Sequence, residues 1–85
     1  MANLLATDEL TINVKYGDSE EKIRVVYGDF FKAVYEKSFA VFEISDLDAP
    51  KYALFQDNGT RLPKSARIYD NAEVSDGCTV ELKLK

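Results

Sequence analysis

The sequence predicts an α+β domain in which a mixed sheet of four to five strands packs on a single helix. Three observations predict it. Two runs alternate strictly between apolar and polar residues near the start of the chain, at 10–16 and 22–27. A stripe with spacing of three and four follows over 31–42. A last alternating run, Cys78, Val80, Leu82 and Leu84 against Thr79, Glu81 and Lys83, closes the chain. Period two is the signature of a half-buried strand and period 3.6 that of a helix.

In the first run Leu10, Ile12, Val14 and Tyr16 share one face. A polar turn is expected over 17–21, after which Ile23, Val25 and Tyr27 point inward. Two such runs about a short polar turn make an antiparallel hairpin. Gly28 then frees the backbone, and Asp29 is placed to cap the helix by accepting from its orphan N–H groups. Phe31, Val34, Tyr35, Ser38, Phe39 and Phe42 form the apolar stripe, with Phe30 and Val41 on its flanks. Residues 45–50 break the pattern, and Pro50 biases Ala49 towards an extended backbone.

A third strand is expected over 51–56, ended by the turn signal Asp57, Asn58, Gly59. Residues 60–62 make at most a short further strand. The stretch 63–74 is irregular, with Ile68 and Tyr69 as its anchors in the core. Asp76 and Gly77 turn the chain into the closing strand, which must lie beside and parallel to the first if the crossover is right-handed. A mixed sheet around one helix is the β-grasp. Residues 1–7 are expected to be a flexible N-terminus and 8–85 the single domain.

Composition narrows function. The chain of 85 residues has no histidine and one cysteine, which removes the commonest general base, the Cys–His nucleophile and clustered thiolate metal sites. No metal and no cofactor is expected, and no enzymatic constellation is visible. A net charge of −4 disfavours a general nucleic-acid binder, which needs a basic footprint. No signal peptide or membrane-length apolar run is seen, so a cytoplasmic protein without membrane contact is expected. Cys78 falls on the apolar face and reads as a small buried hydrophobe. Arg61, Lys64 and Arg67 read as isolated loop charges rather than an anion site.

Residues 52–62, then Ile68 to Asp70, then Ser75 to Leu84 resemble ubiquitin-like proteins, in pattern most of all small bacterial ubiquitin-like domains. There a strand and an Asp-x-Gly turn lead through an irregular stretch to Asp-Gly-x-Thr-Val-x-Leu. The resemblance implies a protein-binding module acting through the exposed sheet face. Modifiers and sulfur carriers of this superfamily work through a Gly-Gly tail, whereas no glycine follows Gly77 here. A modifier or carrier whose tail is absent from this chain is therefore the alternative. An iron–sulfur cluster, the other chemistry of the fold, needs four cysteines.

On the outward face the alternation places Thr11, Asn13, Lys15, Lys22, Arg24, Val26, Thr79, Glu81, Lys83 and Lys85, joined by Ala53 and Phe55 if Tyr52 and Leu54 point inward. That face then carries five basic residues and one acidic, against six basic and fourteen acidic elsewhere. The expected partner surface comprises Lys15, Arg24, Val26, Ala53, Phe55, Glu81 and Lys83. It would suit another protein with an acidic or mixed surface, met by a monomer. The competing reading is an ordinary solvated sheet whose lysines discourage edge-to-edge aggregation.

Overall fold

Gly17 adopts φ 60° at the first central position of a two-residue loop, where a hairpin turn of type II′ requires a positive φ. In the computed structural model, which describes residues 7–71 and 74–85, the turn is therefore tighter than expected. Strand β1 (Glu9–Tyr16) pairs with β2 (Ser19–Val26) from Tyr16↔Ser19 to Glu9↔Val26. The polar residues 19–21 belong to the strand because a two-residue loop leaves them in register. Apart from Thr7, the flexible N-terminus expected at 1–7 lies outside the described residues.

Helix α1 (Phe31–Val41) buries Phe31, Val34, Tyr35 and Ser38, the leading part of the stripe. Phe39 and Phe42 are half-buried against the same core. Ser38 is the one buried polar residue of the described core, and its hydroxyl donates to the Val34 carbonyl at 2.7 Å, so the burial leaves no group unpaired. Asp29 does not cap the helix. Phe30 stands at the cap position, and the Asp29 carboxylate accepts instead from the Val26 amide at 3.1 Å. The first helical amides are satisfied from across the molecule: Phe31 N–H donates to the Ala66 carbonyl at 3.0 Å and Lys32 N–H to that of Lys64 at 3.2 Å. A distant loop thus does the work a side-chain cap would do.

The helix ends on Glu43, the only described non-glycine residue with positive φ, at 56°. Ile44 N–H returns to the Phe39 carbonyl at 2.9 Å and Glu43 N–H to that of Ala40 at 3.3 Å, the two bonds of a Schellman motif. Ala49 is the first residue of a single 3-10 turn (Ala49–Lys51), not extended as Pro50 suggested. Strand β3 (Tyr52–Gln56) follows, and β4 (Thr79–Leu84) closes the sheet in the order β2-β1-β4-β3. The final strand lies parallel to the first, with Val14↔Val80 at its centre, and antiparallel to β3. Residues 60–62 form no strand. A lone bridge joins Phe55 to Arg61, so the sheet has four strands.

The core fills the space between α1 and the inner face of the sheet, with Leu10, Ile12, Val14, Leu54, Val80 and Leu82 below Phe31 and Val34. Leu62, Ile68 and Val74 close it from the long connection. Two expected core members are outside. Tyr69 is 50% exposed and Leu84 62%; Tyr69 contributes its amide, which donates to the Tyr27 carbonyl at 3.1 Å, and Leu84 lies past the last buried residue of β4. Cys78 is half-buried against the core, and burial pushes its thiol above the ordinary range.

Candidate interaction face of the sheet

Strand register fixes what stands together on the face away from the helix. Lys15 pairs with Glu81 and Glu81 with Phe55, so the three form one row across β1, β4 and β3, about 10 Å wide at the usual strand spacing. Lys83 and Ala53 form the next row. The Lys83 ammonium lies 4.9 Å from the centre of the Phe55 ring and 3.7 Å from the Glu81 carboxylate. It therefore covers part of the aromatic face while staying half in water. Phe55 is partly buried and packs against the core.

Four of the seven expected surface residues, Lys15, Phe55, Glu81 and Lys83, are thus brought together. Arg24 and Val26 are not. They lie on the edge strand β2, paired with Thr11 and Glu9 of β1, and Thr11 is four residues from Lys15, about 13 Å along β1. The Arg24 carbonyl accepts from the Lys37 ammonium at 2.8 Å, which ties that corner to the helix. Ala53 is on the predicted face but is only 1% exposed. A single methyl between the larger Phe55 and Lys83 side chains cannot reach solvent, so it forms part of the floor.

The charge pattern also needs correction. Because β2 starts at Ser19, Glu20 stands opposite Lys15 and Glu9 opposite Val26 on the outer face. The strands there carry four basic residues (Lys15, Lys22, Arg24 and Lys83) and three acidic (Glu9, Glu20 and Glu81), a surplus of one rather than four, since Lys85 lies past the end of β4. Arg61, bridged to Phe55, adds a cation that the strand pattern missed. Its signal was present: folding the chain about Asp57–Gly59 sets 61 opposite 55. Behind this end of the sheet Tyr16 and Tyr52 hydroxyls lie 3.3 Å apart, and that hydrogen bond is the main reason the Tyr52 phenol is raised from its ordinary range.

The architecture and the free sheet face define the ubiquitin-like β-grasp. No protein-family model matches the sequence, and no curated protein matches it. Solved structures do. A de novo designed protein based on ubiquitin superposes with TM-score 0.76 at 15% identity, covering 91% of this chain and 89% of that one. Ubiquitin from Caldiarchaeum subterraneum gives 0.75 at 18% identity, with 92% and 95% covered. The ubiquitin-like domain of an Arabidopsis thaliana protein gives 0.74 at 15%, with 94% and 81% covered. At such identities the likeness concerns the fold. Among the described residues no helix is long and apolar enough to cross a membrane.

Proposed function

We propose that this chain is a non-catalytic interaction module, an adaptor or accessory subunit, that docks another protein on the end of the sheet carrying Phe55. The observation that supports this reading is the placement of Phe55. An aromatic ring stands on the solvent side of the sheet, with Lys83 over it and Lys15 and Glu81 in the same row. Aromatic side chains, phenylalanine among them, are enriched at protein interfaces. The mixed charges around the ring suit a partner surface of mixed or acidic character and act on encounter rate and specificity more than on affinity. The module works in this reading as a monomer in the cytoplasm.

The test is capture from native lysate with the intact chain and with Phe55→Ala, followed by calorimetry on the purified partner. Phe55 is only partly buried, so its removal should cost about 1 kcal/mol of stability. Binding should fall by at least about tenfold, as for an interface anchor. A partner held equally by both chains would place docking elsewhere.

A further inference from the structure

A cleft of about 540 Å³ opens along the outer edge of β3, between that strand and the 61–65 loop. Arg61, Lys64 and Lys85 line it together with the Ser65 hydroxyl and the rings of Tyr35 and Tyr52. In sequence these cations look like scattered loop charges. The tertiary fold gathers them in one concavity whose lining includes no Asp or Glu residue. The two ion pairs among the described residues, Lys51–Asp48 and Lys83–Glu81, involve none of the three. Lys64 is held over aromatic faces instead, its ammonium 5.1 Å from the Tyr35 ring centre and 5.9 Å from that of Phe39.

The wall of the cleft is preorganised. The Tyr35 hydroxyl donates to the Leu62 carbonyl at 2.5 Å and accepts from Leu54 N–H at 3.0 Å, while Leu62 N–H donates to the Leu54 carbonyl at 2.8 Å. The backbone that presents Arg61 is thereby fixed to β3, and little ordering remains to be done when a ligand arrives. The volume is that of a small-molecule site.

We propose that this cleft binds the phosphomonoester group of a small molecule. Such a group carries a charge of about −1.5 to −2 at neutral pH, which matches Arg61 and Lys64, with the Lys85 side chain beside them, better than a single carboxylate does. Arg61 offers the planar fork that phosphate oxygens accept from, Lys64 and Lys85 supply ammonium donors, and Ser65 adds a neutral donor. The body of the ligand would rest against Tyr52 and Pro63, the apolar part of the lining.

The experiment is an amide chemical-shift titration of the intact chain with inorganic phosphate, phenyl phosphate and a phosphoserine peptide. Shifts confined to residues 52–54, 61–65 and 85, with phenyl phosphate tighter than inorganic phosphate, are expected. Lys64→Gln should weaken phenyl phosphate about tenfold, the loss of one charge-assisted bond. Lys22→Gln, on the opposite edge, should leave it unchanged, and so should Phe55→Ala, which separates this site from the docking face. Saturable shifts absent at millimolar ligand, shifts spread equally over Lys22 and Arg24, or indifference to Lys64→Gln would each overturn the proposal. A phosphoserine peptide that binds more tightly than phenyl phosphate, with shifts running beyond the cleft, would overturn its assignment to a small molecule.

Discussion

Replacing Tyr35 with phenylalanine removes one oxygen atom and tests how the edge of the sheet is held. Leu54 and Leu62 face each other as a hydrogen-bonded antiparallel pair would, yet only one of the two ladder bonds is direct, Leu62 N–H to the Leu54 carbonyl at 2.8 Å. The Tyr35 hydroxyl stands in the place of the other, accepting from Leu54 N–H at 3.0 Å and donating to the Leu62 carbonyl at 2.5 Å. Tyr35 is 2% exposed, so phenylalanine keeps the packing and leaves a buried donor and a buried acceptor unpaired. Each lost bond is worth about 1 kcal/mol net and each orphaned group costs about 1–3 kcal/mol, relieved in part by relaxation of the edge. A loss of about 2 kcal/mol follows, a large part of the stability of a domain this size.

Thermal unfolding followed by circular dichroism should show Tm lowered by about 8–16 °C, and exchange of the Leu54 amide should accelerate by about 30-fold. The same residue governs an alkaline limb. Burial raises the Tyr35 phenol above its ordinary value, opposed by the Leu54 N–H and by Arg61. The folded state then keeps the proton longer than the unfolded chain, so this contribution is intact below about pH 10 and is lost as pH rises through the folded value. The wild-type Tm should fall above that pH, and the Tyr35→Phe profile should be flatter. A variant whose Tm stays within about 2 °C of wild type would show that the 54–62 pair closes directly, which would refute the bridging role.

Two further outcomes are expected. Glu43→Gly should stabilise the protein by about 0.5–1 kcal/mol, because glycine occupies the positive φ of the helix terminus without a Cβ penalty; an unchanged denaturant midpoint would count against strain there. The Cys78 thiol, raised chiefly by burial, should react with Ellman's reagent about tenfold more slowly than free cysteine, and at the free rate once unfolded. Equal rates in the folded protein would show the thiol to be open.

The sequence by itself determined whatever repeats along the chain. Alternation in 10–16, 22–27 and 78–84 and the three-and-four spacing of Phe31, Val34, Tyr35 and Ser38 state which side of each element must leave water, because side-chain direction follows backbone period. From those faces the helix, the hairpin and the parallel closing strand follow. The tertiary structure decided what depends on register and on loops meeting. A turn shorter by three residues moved Glu20 onto the outer face, diluting the charge read from the strands. Carbonyls of Lys64 and Ala66, over thirty positions away, replaced the cap assigned to Asp29. Arg61, Lys64 and Lys85 came into one cleft. Such contacts leave no local period, since they are set by how the long connection closes over the core rather than by the direction any one segment imposes on its side chains.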